Sequence, residues 1–411
     1  MAHIPGFYYD EQKRKYFKVL PNSAAGGNTF YTPDKLNKKI QNGKSLNITK
    51  KRNVLHTGHL RELSMSSRVC EYQARTTVSS LKHAKTLWPS ARIDAVGVTC
   101  LGIGSDEFAN HRLWVGNGHG IYKEYSIERC LHEPSYALDM TTPFAEFSGP
   151  IMSITKTQKF GVITAATFVP DDPNAMLWTP STASSRSTLY KMHRFKTGTD
   201  ARCSAASGES STMAIAGSDR LLAYEVTNAD LKLIASSRLV SDVQCLQVLQ
   251  PHTFMAGCRD GSIRLYDTRV PTKTRHLPIA LWHKSTVTKF KLLSEPYLLA
   301  SGLDNSLALY DLRFASTQRK RSHPVLSYDG YVNEYEFNHG FDVSSDNSLL
   351  AVADQSVGIK IYSVWSGERL RSAVSEYKFD TVPRAVKWTE FAGRGLFVSN
   401  GGRLEYLSVG V

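Results

Sequence analysis

Apolar and polar positions alternate along this chain in short runs broken by turn residues, and one sixteen-residue version of the pattern occurs twice. The copies are FMAGCRDGSIRLYDTR (254–269) and LLASGLDNSLALYDLR (298–313), 44 residues apart and aligned without a gap. Each has an apolar pair, three small residues, Asp with a turn residue, an apolar/x/apolar alternation and then Tyr-Asp-x-Arg. The first half predicts a strand, the Asp-Gly or Asp-Asn step a tight hairpin turn, and the second half the antiparallel partner. Tandem recurrence at this spacing reports a structural unit.

The same grammar extends beyond the two copies. From about Arg92 onward the chain reads as short β-runs without long helical periodicity, and an aromatic residue marks an equivalent strand end in each unit: Tyr125, Trp178, Tyr224, Tyr266, Tyr310, Tyr362 and Tyr406. Their spacings are 53, 46, 42, 44, 52 and 44 residues, and turn signals such as Gly116-Asn117-Gly118, Asp260-Gly261, Asp304-Asn305 and Asn400-Gly401-Gly402 precede them. The two long spacings contain insertions at Pro170–Pro173 and Phe314–Asn333. Seven units of this size predict an all-β fold, a seven-bladed propeller of four-stranded blades. Five residues follow Tyr406, too few for an outermost strand. The alternating segment 66–78 (SSRVCEYQARTTV) is expected to supply it from the N-terminal side, closing the ring and removing an exposed edge.

Ahead of the β-rich body lies a different segment, so the expected division is an arm over 1–61 and a propeller over 62–411. Phe7, Tyr8 and Tyr9, then Tyr16 and Phe17, form two β-prone aromatic runs between Pro5 and Pro21, which predicts a small hairpin. A lone hairpin is marginal in water, so its aromatics need a surface, either the protein's own body or a partner. Residues 22–53 read as a flexible linker, and 53–63 (NVLHTGHLREL) as a short helix.

Charge sharpens this division. The chain carries a net +13, but residues 1–61 hold twelve Lys/Arg against three acids, so the other 350 residues carry only +4. With 41% hydrophobic and 21% charged residues, no apolar run long enough for a membrane helix and acidic Asp10 and Glu11 near the start, the expectation is a soluble nuclear or cytoplasmic protein with no membrane role. Six scattered cysteines without C-x-x-C suit buried thiols in a reducing compartment.

The repeats resemble WD repeats, with Tyr replacing Trp at six of seven positions and His283 as the remnant of the Gly-His dipeptide. The resemblance implies a buried structural network of the kind Asp304, His283, Ser301 and Tyr310 could form. The tandem endings Tyr266-Asp267-x-Arg269 and Tyr310-Asp311-x-Arg313 also resemble the W-D-x-R box of substrate receptors for cullin-4 RING ubiquitin ligases, which dock through arginines on a three-propeller adaptor. Carried over, Arg269 and Arg313 become the adaptor-facing cations, oriented by Asp267 and Asp311, on a monomeric propeller that presents a target protein within the complex. The alternative role for each Asp-x-Arg pair is purely internal to its blade. The arm sequence PGFYYD with RKYF and Pro21 is similar to the N-terminal signature of one member of that receptor group.

Enzymatic motifs are missing from the sequence. There is no G-x-x-x-x-G-K-[ST], G-x-S-x-G or H-E-x-x-H, and Gly116 to Gly120 sits at a predicted strand-to-strand turn rather than before a helix. His56 and His59 have no neighbouring ligands to complete a metal site. The expectation is a non-enzyme with no cofactor and no metal. A rival reading comes from the basic arm, Arg186 to Lys196 with interleaved aromatics, and Arg319 to Arg321: an RNA-binding or ribonucleoprotein-assembly scaffold.

Overall fold

The structure, a computed structural model, describes residues 7–10, 15–18, 73–79, 81–86, 97–105, 111–127, 145–146, 149–156, 163–167, 175–180, 190–194, 201–206, 211–218, 220–226, 231–270, 278–293, 296–315, 322–390 and 394–409. The chain divides into two compact units, Met1–Met65 and Ser66–Val411. In the first, β1 (Phe7–Asp10) pairs antiparallel with β2 (Lys15–Lys18), which sets Tyr8 opposite Phe17 and Tyr9 opposite Tyr16. The helix expected over 53–63 and the two histidines within it lie outside the described residues.

In the second unit the described strands form seven four-stranded antiparallel sheets. Six run straight through the sequence. The first holds β4 (Val98–Ser105), β5 (His111–Asn117), β6 (Ile121–Ser126) and β7 (Ala145–Glu146), and the second β8 (Ile151–Lys156), β9 (Ile163–Thr167), β10 (Ala175–Pro180) and β11 (Tyr190–Arg194). The third holds β12 (Cys203–Ala206), β13 (Thr212–Ala216), β14 (Arg220–Val226) and β15 (Leu231–Arg238), and the fourth β16 (Val243–Gln250), β17 (Thr253–Cys258), β18 (Ser262–Asp267) and β19 (Ile279–Trp282). The fifth holds β20 (Val287–Leu292), β21 (Tyr297–Gly302), β22 (Leu307–Asp311) and β23 (Leu326–Ser327), and the sixth β24 (Phe341–Val343), β25 (Leu349–Asp354), β26 (Gly358–Ser363) and β27 (Arg369–Leu370). The seventh is composite: β28 (Val386–Thr389), β29 (Gly395–Asn400) and β30 (Arg403–Val409) accept β3 (Leu81–Thr86) as their fourth strand.

The first strand of each sheet touches the first strand of the next, from β4 through β8, β12, β16, β20 and β24 to β28, and β28 returns to β4. This is an all-β propeller. Every one of the seven marker aromatics stands on the third strand of its sheet: Tyr125 on β6, Trp178 on β10, Tyr224 on β14, Tyr266 on β18, Tyr310 on β22, Tyr362 on β26 and Tyr406 on β30. The core lies between neighbouring sheets, as in the layer of Met255, Ile263, Leu281, Val287, Leu298, Ala300 and Tyr310 between the fourth and fifth. Sheets approach closely enough to demand glycine: a Cβ on Gly257 would stand 2.6 Å from Cys245 Sγ and 2.7 Å from Val287 Cγ1.

The closing strand is not where the alternation of 66–78 placed it. Residues 73–79 are helical, and Ala74 and Val78, four apart on one helical face, bury against a core shared with Leu349, Leu396 and Leu407. Two polar-separated apolar residues at even spacing fit both periods, and here the helical one wins. The strand that pairs with β30 comes later, with Leu81 opposite Val409.

Candidate functional site

The two Tyr-Asp-x-Arg endings fold alike down to their hydrogen bonds. Tyr266 pairs across the sheet with Phe254, and Tyr310 with Leu298, the same register in both copies. Both tyrosine rings are buried, and burial raises both phenol pKa values. Each strand ends at its Asp. There the carboxylate folds back on the turn: Asp267 Oδ1 accepts the backbone N–H of Arg269 at 2.9 Å and Asp311 Oδ1 that of Arg313 at 3.0 Å.

The guanidinium then closes onto the same carboxylate. Arg269 donates Nε to Oδ1 at 2.9 Å and Nη2 to Oδ2 at 2.7 Å; Arg313 does so at 3.0 Å and 2.7 Å. Such side-on forks are among the strongest charge-assisted pairs. They fix the arginine while leaving Nη1 outside the fork. Arg269 remains 65% exposed and Arg313 48% exposed, whereas the Asp311 carboxylate is buried. The Arg269 hydrogen bond, followed by the Arg269 backbone N–H, holds the Asp267 carboxyl down at about 2.

An exposed apolar residue follows each box. Val270 is half-exposed, and Phe314 is 72% exposed with the Arg313 guanidinium carbon 5.7 Å from its ring centre. The unit at each ending is therefore a fixed cation beside an apolar side chain.

Both units occupy one end of the propeller. In an antiparallel meander, the links after the first and third strands share an end. The Thr268 N–H bonds to His252 O, in the turn before β17, and the Leu312 N–H bonds to Pro296 O, in the turn before β21. The first strands β16 and β20 run the same way side by side, since the Leu292 N–H donates to Gln247 Oε1 near their far ends and Thr286 Oγ1 donates to Arg259 O near their starts.

The network expected under the second box differs in its members. His283 Nδ1 meets the Tyr310 hydroxyl at 2.8 Å, but its Nε2 meets Ser306 Oγ at 2.8 Å, and Ser285 Oγ extends the chain to Ser306 at 2.8 Å. Ser301 joins Thr288 and His339 instead. Asp304 and Asn305 both adopt positive φ (+57° and +52°), a turn that carries Asp304 out to the exposed Lys284, 2.7 Å away. Sequence alone offered no sign that Ser306 would take the inward place.

Among the described residues no group of three or more His, Cys, Asp or Glu is arranged to hold a metal. The described cysteines Cys100, Cys203, Cys245 and Cys258 are free and buried, and burial pushes Cys100, Cys245 and Cys258 up to about 12. The turn at Asn117 to Gly120 links two strands, with Asn117 Oδ1 accepting the His119 and Ile121 N–H groups. The basic segments Arg186 to Lys196 and Arg319 to Arg321 and the aromatic side chains of the arm lie outside what can be described of their side chains.

No protein-family model matches the chain. It is 22% identical over 384 residues to WD repeat-containing protein 21 of Schizosaccharomyces pombe, an alignment covering 88% of this chain and 87% of that protein. It is 31% identical over 140 residues to DDB1- and CUL4-associated factor 4 of Homo sapiens and 30% identical over 123 residues to the Bos taurus protein of that name. Those matches take in 33% and 29% of this chain and span only 27% and 23% of the mammalian proteins. By its ring of antiparallel sheets the chain is an all-β propeller, and along most of its length it is similar to a WD-repeat protein.

Proposed function

We propose that this protein is a non-catalytic substrate receptor of a cullin-4 RING ubiquitin ligase, a seven-bladed WD-repeat propeller that docks on the adaptor DDB1 through Arg269 and Arg313. The observation that carries the reading is the duplicated fork: one arginine geometry, built twice on neighbouring sheets, exposed at the same end. An exposed ion pair adds little to a fold, which describes the Arg269 fork, whereas the Arg313 fork also compensates the buried Asp311 carboxylate. Both guanidinium groups nevertheless face outward, where a partner can use them. Each arginine is already ordered by its aspartate, so binding a carboxylate or carbonyl through Nη1 costs less side-chain entropy. The partial likeness to proteins named for DDB1 and CUL4, and the arm's resemblance to the signature of DDB1- and CUL4-associated factor 4, support the same partner. The mechanism is proximity: the receptor holds a target protein beside the ubiquitin-charged enzyme and raises the effective concentration of its lysines. The working compartment on this reading is the nucleus or cytoplasm.

The test is binding to purified DDB1 by the full-length chain and by R269D/R313D. Charge reversal at both forks is expected to weaken binding at least 100-fold; because R313D also strips the buried Asp311 of its partner, the melting temperature should fall, and binding is compared where circular dichroism shows a folded chain. Wild-type affinity in a folded double variant overturns the assignment. The rival RNA scaffold has its motivating residues outside the described side chains; a salt-sensitive RNA crosslink that disappears on removing residues 1–61 would favour it.

A further inference from the structure

The link between the fifth and sixth sheets, residues 328–340, lies at the end opposite the paired arginines, among the turns between second and third strands. Its backbone is tied down at nearly every step. Asn333 is buried and donates to the Tyr331 hydroxyl at 3.1 Å and Glu336 O at 2.9 Å, while its Oδ1 accepts the Glu336 N–H at 2.9 Å. The Asn333 N–H bonds to Asn305 Oδ1 at 2.7 Å in the turn of the fifth sheet. The Gln355 N–H bonds to Val332 O at 3.0 Å, and the Glu334 N–H to Gln355 Oε1 at 3.0 Å, in the turn of the sixth. Below, Tyr331 meets buried His339 at 3.2 Å and Tyr328 donates to Val364 O at 2.6 Å.

A loop held this firmly nevertheless leaves large apolar side chains in water. Tyr335 is 60% exposed and Phe337 39%, with Val332 beside them. Aromatic side chains displayed on an ordered backbone suit a binding surface, since little backbone order remains to be gained on association. The link itself carries charge of one sign: residues 328–340 hold Asp329, Glu334 and Glu336 and no Lys or Arg, within a protein of net charge +13. Of the neighbouring cations, Lys284 pairs with Asp304 and Lys378 bonds to Ser356 O, while Lys360, paired with Asp354, also reaches Gly330 O and Lys289 reaches Asn338 at the two ends of the link.

We propose that residues 332–337 form a docking surface for a basic segment of a partner protein, one that sets Lys or Arg against Glu334, Glu336 and the faces of Tyr335 and Phe337, with an aliphatic neighbour on Val332. Carboxylate pairing and cation–π contact act together there. The surface is independent of the arginine end and of the ligase reading.

The experiment is a fluorescence anisotropy titration of the full chain with a labelled peptide of alternating Arg and Leu, and with a control in which Glu replaces Arg. Saturable binding of the Arg peptide alone is expected. Y335S/F337S should weaken it at least tenfold, and E334Q/E336Q at least threefold with a shallower dependence on salt, both with unchanged far-UV circular dichroism. Because these side chains project into solvent, both variants should fold, and either suffices for the test. The proposal is overturned by equal binding of the Glu peptide, by no binding of the Arg peptide at millimolar concentration, or by wild-type affinity in either folded variant.

Discussion

Arg269 is held by a carboxylate that stays ionised throughout the physiological range. The Asp267 carboxyl is depressed to about 2 from 3.8, so its contribution is complete above about pH 4 and fades only as pH falls toward 2. Titration of this group therefore leaves adaptor binding flat between pH 5 and 8; a carboxylate-like inflection in that range, removed by D267N, would contradict the fork. The apolar neighbours make a second expectation. F314S combined with V270S should weaken DDB1 binding about tenfold while leaving the forks and the fold intact, since neither side chain belongs to the core. Buried histidines set a different pH dependence. His283 falls to about 4 and His339 to about 3 from 6.5, chiefly through desolvation. Both are neutral when folded, so unfolding is favoured as the unfolded chain gains their protons. The urea midpoint should be level above about pH 6.5 and decline steadily from there toward pH 4, with neither imidazole titrating by NMR between pH 5 and 8. Residue identity alone could suggest a His–Tyr contact at 283 and 310, but not the swap of Ser306 for Asp304, because the swap depends on positive φ at two successive turn positions.

Elements whose order comes from pattern were legible, and elements whose order comes from side-chain bonding were not. The alternation and turn chemistry of 254–269 and 298–313 locate β17, β18, β21 and β22, and aromatic spacing in the arm locates β1 and β2. By contrast, residues 73–79 carry two apolar positions that satisfy either period, and only packing against Leu349 and Leu407 decides for helix. The 328–340 link has no periodicity at all. Its shape rests on Asn333, a buried amide with three local bonds, so N333A leaves unpaired groups and should cost about 1–3 kcal/mol, read as a lower urea midpoint. The same substitution should loosen the displayed aromatics and weaken the Arg–Leu peptide. At sheet interfaces the limit is space: G257A drives a methyl into Cys245 and Val287, and a loss of about 1–3 kcal/mol is expected.

The ring itself follows from spacing, because a repeat of roughly 44 residues with one marker aromatic per unit has few other ways to bury its faces. Its closure was legible as a need and misplaced as a segment: an outer strand was required from the N-terminal side, and β3 supplies it at 81–86, after the helix. Two truncations separate these pieces. A chain of residues 66–411 keeps helix and strand, whereas 87–411 loses both and leaves β30 as an open edge; the second should melt lower and aggregate sooner. The pairing of β3 with β30 also orders events in time. On the ribosome β3 is made before any strand of the six other sheets, yet its partner emerges more than 300 residues later. Until Arg403–Val409 is released, those sheets can form while β3 waits as an unpaired strand that needs shielding. A chain cut before Arg403 would therefore lack β30 and leave β3 without its partner, and the product should be held by chaperones rather than accumulate as a folded propeller.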